Sequence, residues 1–170
     1  MRILISEKKI KNRVRKIARI IESDYRNKRP VMVGILKGAV VFLADLIREL
    51  EIPIEIDFIA VSRYRGRTKS TGRVKILEDL SVNIGGKDVI LVEDIVDTGS
   101  TLDRIIKRLN DRKPKSLVVC ALLNKEANRK VAVPLRYVGF KIPNKFLVGY
   151  GLDFKNRHRN LKFIGALNGR

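Results

Sequence analysis

Val89–Leu102 reads VILVEDIVDTGSTL. Four apolar residues lead into two adjacent acids, Glu93 and Asp94; Asp97 follows three positions later, directly ahead of Thr-Gly-Ser-Thr. An unbroken apolar run of this length fits a strand covered on both faces. The glycine and hydroxyl residues behind it fit a sharp turn into a helix. Together they demand a layered α/β fold in which a buried strand carries polar side chains to one edge of a sheet.

The rest of the chain continues the alternation. Ile10, Val14, Ile17 and Ile21 recur at helical spacing between basic residues, which predicts an amphipathic helix over residues 6–27. RPVMVGIL predicts a buried strand after a turn, and KGAVVFLADLIREL a glycine loop entering an apolar helix. IPIEIDFIAVS predicts a strand, RYRGRTKSTG an exposed mobile loop, and RVKILEDL a strand or hairpin return. STLDRIIKRLNDRKP predicts a helix stopped before Pro114, and KSLVVCALLN a further buried strand. Shorter strands are expected at LRYVGF, FLVGY and KFIGAL. This order predicts a parallel twisted sheet flanked by helices on both faces. In such sheets ligands bind outside the carboxyl ends of the strands, near the point where strand order reverses. The opening stretch puts its acids and its Thr-Gly-Ser-Thr there.

The chain has 170 residues, enough for one domain with a sizeable core. Lys37 and Asp45 interrupt its longest apolar region, so no membrane span is expected, and the first twenty residues hold no apolar stretch of signal-peptide length. The single cysteine, Cys120, rules out a disulfide within the chain and fits a reducing, cytoplasmic setting. Cys120 and the one histidine, His158, match no metal or triad spacing and read as structural or surface residues. Lys and Arg number 37 against 18 acids, a net charge of +19. That excess suits polyanionic partners, and equally suits a Lys/Arg-rich surface from a hot habitat or a biased genome.

DTGST alone supports two readings. It could be an ordinary capped helix start. It could also be an anion nest, with Gly99 turning the backbone and Thr98, Ser100 and Thr101 adding hydroxyl donors at the positive end of the helix. The acids favour the second. A cap needs one acceptor, whereas two neighbouring carboxylates can accept from both hydroxyls of a ribose or hold a divalent cation.

An apolar strand, Glu-Asp, two apolar residues and then Asp-Thr-Gly-Ser-Thr closely resembles the ribose-phosphate motif of the type I phosphoribosyltransferases. LKGA at Leu36–Ala39 resembles the pyrophosphate loop of the hypoxanthine-guanine enzymes within that family. LLNKEANRK carries Lys125 where those enzymes have their purine-recognising lysine, and YVGFKIPNKFLVGYGLDFKNRHRNL resembles their purine- and metal-binding tail. The likeness runs from Val31 to Gly165 and fits the short bacterial type.

The resemblance implies one domain over residues 1–170, with a core of about 28–140 and a small hood from 1–27 and 141–170. It implies transfer of 5-phosphoribosyl from phosphoribosyl diphosphate to hypoxanthine or guanine, giving a nucleoside monophosphate and pyrophosphate, with Mg2+. Glu93 and Asp94 would hold the ribose hydroxyls and serve as metal candidates. Asp97 would be the general base toward purine N7. Asp97, Thr98, Gly99, Ser100 and Thr101 would cradle the 5′-phosphate. Leu36, Lys37 and Gly38 would meet pyrophosphate, with a cis peptide between Leu36 and Lys37, and Arg159 would reach the diphosphate. Asp153 would hold magnesium. Lys125 would donate to the 6-oxo group, Phe146 would stack on the base, and backbone groups at Lys145, Leu147 and Asp153 would read its edge. Tyr64 would belong to a mobile lid. Arg63 stands where the family usually has serine, so no serine role carries to that position.

The resemblance also implies a homodimer or homotetramer. Two alternatives stand beside the main reading: an RNA-binding regulator on the same scaffold, which the net charge makes conceivable, and an enzyme preferring xanthine. No sequence-specific nucleic acid partner is expected, since aromatic residues are 6% of the chain and form no RNA-binding signature.

Overall fold

β2 (Val31–Leu36) and β5 (Asp88–Val96) lie side by side and parallel at the middle of a six-stranded sheet. The computed structural model describes residues 1–63 and 74–167. Outward from β2 come β3 (Glu55–Arg63), parallel, and β4 (Val74–Glu78), antiparallel to β3. Outward from β5 come β6 (Ser116–Asn124) and β7 (Leu135–Lys141), both parallel. The strand order is β4-β3-β2-β5-β6-β7, so the chain reverses its direction of travel between β2 and β5.

Side chains alternate across β5 in a way that explains its unbroken apolar run. Ile90 and Val92 belong to one core cluster, with α1 (Glu7–Asp24) and α2 (Val40–Arg48). Val89 and Leu91 belong to the other, with α3 (Ser100–Asn110). Both faces are covered, so all four positions are fully buried. Burying one such side chain contributes ~1.5–3 kcal/mol, which makes the strand a rigid support for the acids at its end. α1 buries Ile10, Val14, Ile17, Ala18 and Ile21 along one stripe.

α1 is shorter than residues 6–27. Tyr25 leaves helical geometry with φ −114°, and Asn27 turns left-handed at φ 63° ahead of Pro30. A strand not expected from the sequence, β1 (Arg2–Ile5), precedes it. β1 pairs antiparallel with β9 (Ile164–Ala166), which pairs antiparallel with β8 (Leu147–Val148), giving a second sheet from the two ends of the chain. FLVGY yields only two strand residues because Gly149, Tyr150 and Gly151 all take positive φ and turn the chain away. Among the described residues no helix is long and apolar enough to cross a membrane.

Candidate active site

The register between β2 and β5 ends at Gly34 and Val92. Past it, a cleft of about 1080 Å³ opens between the main sheet and the segment that succeeds β8. Glu93, Asp94 and Asp97 line it, together with Leu36 at the end of β2 and Gly38 from the turn after it.

Asp94 is 9% exposed, and its Oδ1 accepts from the Ile95 amide at 2.7 Å. Glu93 Oε1 accepts from the Asp94 amide at 3.1 Å. Gly38 lies against the Asp94 carboxylate so closely that a Cβ there would stand 1.7 Å from Asp94 Oδ2. Only glycine allows that approach. The Leu36–Lys37 peptide just before it is cis, as the sequence likeness implied.

Gly99 has φ 85°, and it begins α3 without a side-chain cap. The Ser100 amide at the start of α3 donates to the Thr98 hydroxyl at 3.4 Å, and the other unpaired amides of the first turn face the helix end. A smaller recess, lined by Glu93, Asp97, Thr98, Gly99 and Thr101 among others, adjoins the cleft here.

The segment after β6 grips this loop. The amides of Lys130 and Val131 donate to the Thr98 carbonyl at 2.9 and 3.1 Å. Arg129 Nε donates to the Asp97 carbonyl at 3.2 Å, and its Nη2 donates to Asn124 Oδ1. Asn128 Nδ2 donates to Asp97 Oδ1 at 2.8 Å. Lys125, 9% exposed, has its ammonium 3.9 Å from Asp97 Oδ2. Nothing in the sequence singles out Asn124, Asn128 or Arg129, because polar residues after a strand carry no periodicity.

The opposite wall comes from Phe146, β8 and the segment after it. Phe146 is 55% exposed and stands edge-on to Phe154, ring centres 5.6 Å apart. Asp153 Oδ1 pairs with Arg159 Nη2 at 2.6 Å, and its Oδ2 accepts from the Asn156 amide at 2.8 Å. Arg159 Nη1 also donates to the Gly151 carbonyl.

Of the residues singled out from the sequence, Leu36, Gly38, Glu93, Asp94, Asp97, Thr101, Lys125, Phe146, Leu147, Asp153 and Arg159 line the one cleft. Thr98 and Gly99 line the adjoining recess. Lys37, Ser100 and Lys145 are exposed and line neither. Tyr64 and most of the expected lid lie outside the described residues. Cys120 is buried, which pushes its thiol well above the usual range. Among the described residues no group of three or more His, Cys, Asp or Glu converges as a metal cage.

Residues 4–155 match the family model of the phosphoribosyl transferase domain. The hypoxanthine-guanine phosphoribosyltransferase of Staphylococcus epidermidis is 48% identical over 165 residues, covering 97% of this chain and 92% of that protein. The bifunctional protein TilS/HprT of Listeria innocua is 43% identical over 166 residues; the match takes in 98% of this chain but only 26% of that longer protein. The crystal structure of a hypoxanthine phosphoribosyltransferase from Staphylococcus aureus superposes with a TM-score of 0.93 at 44% identity, covering 98% of this chain and 91% of that one.

Proposed function

Because the chain belongs to the phosphoribosyl transferase domain family, we propose that it is a purine-salvage enzyme joining hypoxanthine or guanine to phosphoribosyl diphosphate. The observation that carries the reading is a single cleft in which Asp94, Asp97, Lys125 and Phe146 converge at the carboxyl end of β5. The relatives are named for the transferase, which favours this over the RNA-binding alternative.

Purine N9 attacks the anomeric carbon of the ribose, and the bond from that carbon to the diphosphate oxygen breaks. The electron pair leaves with pyrophosphate. The N7 proton passes to the Asp97 carboxylate. Charge builds on the ribose as an oxocarbenium-like centre, so the protein's contribution is positioning and electrostatics. Glu93 and Asp94 hold the ribose hydroxyls. The loop from Asp97 to Thr101, with the start of α3, holds the 5′-phosphate. Lys37, Gly38 and Arg159 meet the diphosphate. Lys125 donates to the 6-oxo group, Phe146 stacks on the ring, and the backbone at Lys145, Leu147 and Asp153 reads its edge.

Asp153, Glu93 and Asp94 are oxygen donors, the kind Mg2+ takes. That ion is ordinarily held by one or two carboxylates plus substrate phosphates rather than by an all-protein cage. Held there, Mg2+ would supply positive charge to mask the diphosphate. A cytoplasmic homodimer or homotetramer completes the proposal; Val40 on α2, 40% exposed, offers apolar surface for such a contact.

The test is an activity panel of hypoxanthine, guanine, xanthine, adenine and uracil with phosphoribosyl diphosphate and Mg2+, measuring nucleotide and pyrophosphate release. Hypoxanthine and guanine are expected to turn over. Activity confined to xanthine would change the base, and no turnover of any purine would defeat the proposal.

A further inference from the structure

Asn128 Nδ2 makes two hydrogen bonds, donating to Asp97 Oδ1 at 2.8 Å and to Asn144 Oδ1 at 2.9 Å. An ionised carboxylate only accepts, so it is the amide nitrogen that must face Asp97, and both of its hydrogens are then used. Asn144 directly precedes Lys145 and Phe146, so a continuous chain of polar contacts runs from the carboxylate to the loop carrying the aromatic wall of the cleft.

We propose that Asn128 is a positioning residue for the general base, holding one oxygen of Asp97 and tying its orientation to the purine seat. The inference rests on the transferase reading above. The main chain of the Asp97–Thr98 turn is already gripped by Arg129, Lys130 and Val131. What remains free is the carboxylate plane, because the terminal torsion of an aspartate is broad and its side chain here is 37% exposed. Among the described residues the amide of Asn128 is the side-chain group within hydrogen-bond distance of that carboxylate. Lys125, at 3.9 Å from Oδ2, lies beyond hydrogen-bond reach, and a purine oxygen would engage its ammonium. Asn128 bonds Oδ1, so Oδ2 is left to take the proton.

The experiment is a double-mutant cycle read in kcat, with KM for both substrates. Asn128→Ala is expected to lower kcat for hypoxanthine by about 10-fold, the scale of one hydrogen bond to a charged group. Its KM for phosphoribosyl diphosphate is expected to stay within about 2-fold, since the main chain of the phosphate loop is held by Arg129, Lys130 and Val131 and not by Asn128. Asn128→Asp, equal in size but without the donor, is expected to fall at least as far, which guards against a folding defect in the alanine variant. In an Asp97→Asn background there is no base to orient, so adding Asn128→Ala is expected to change kcat by less than about 2-fold. Asn144→Ala is expected to raise KM for hypoxanthine more than KM for phosphoribosyl diphosphate. A full additional loss in the Asp97→Asn background would overturn the inference and leave the transferase reading intact. A wild-type protein without purine turnover would remove the reading itself.

Discussion

The carbonyl oxygen of Gly38 occupies the space where a side chain on Gly151 would begin: a Cβ there would stand 2.1 Å away. Gly38 is itself pressed against Asp94, so three segments distant in sequence meet at a point with no room for a methyl group. Gly151 also has φ 97°, where a side chain is strained. Gly151→Ala is expected to cost about 1–3 kcal/mol of stability and to separate the two walls of the cleft. A thermal melt and the KM for phosphoribosyl diphosphate check this; an unchanged KM would show that the close approach has no bearing on that substrate.

Asp97→Asn is expected to lower kcat by ~10²–10⁴, the usual loss on removing a general base. The asparagine oxygen can still accept from Asn128, so fold and diphosphate binding should be retained. Steady-state kinetics beside calorimetric binding of phosphoribosyl diphosphate would decide it, and turnover near the wild-type rate would take Asp97 out of the mechanism.

Base choice should rest on Lys125. An ammonium only donates, and a 6-oxopurine offers it an acceptor, whereas adenine presents an amino donor at the same place. A closed site built around one polar group can reject the wrong partner by ~10⁴–10⁵. Lys125→Ala is expected to damage hypoxanthine turnover far more than adenine turnover. An unchanged ratio of the two kcat/KM values would mean that another group reads the 6-position.

Asp57 gives a pH dependence of stability. Burial works to raise its pKa, but the amides of Val82, Phe58 and Ser81 and the Ser81 hydroxyl more than offset this and hold it below the ordinary 3.8. A depressed carboxylate adds stability above its unfolded-state pKa, and that contribution fades as pH falls through the folded value. Asp57→Ala should therefore melt below wild type at neutral pH, with the gap narrowing below about pH 4. A gap that stays constant down to about pH 2.5 would contradict this role.

β5, α3 and the Thr-Gly-Ser-Thr turn were legible because one short stretch carries an apolar strand, paired acids and a glycine-hydroxyl turn into a helix. β1 was not, since Arg2–Ile5 is four residues long, mostly exposed, and acquires meaning only from β9. The grip of Arg129 and Asn128 on Asp97 spans roughly thirty residues, and no local pattern announces a contact of that kind. Phe146 and Lys125 were picked out by likeness to a family; by composition alone each would pass for core or surface. Phe146 in fact stands 55% exposed, and Lys125 is nearly covered, each the reverse of its residue type's habit.

Arg2 pairs with Ala166, and Ala166 pairs with Leu147. The short strand beside Phe146 is thus held by residues 164–166, which are in turn held by residues 2–5. In chain order the six main strands are complete at Lys141, ahead of Ile164–Ala166. The central sheet can close by contacts of modest sequence separation, while β1 must wait for a partner more than 160 residues away. Joining such distant segments late is slow on topological grounds. A nascent chain halted before β9 is expected to have a protease-resistant sheet and α3, but an unformed second wall and no catalytic turnover. Competence would arrive in one step with Ile164–Ala166, after most of the fold is already in place.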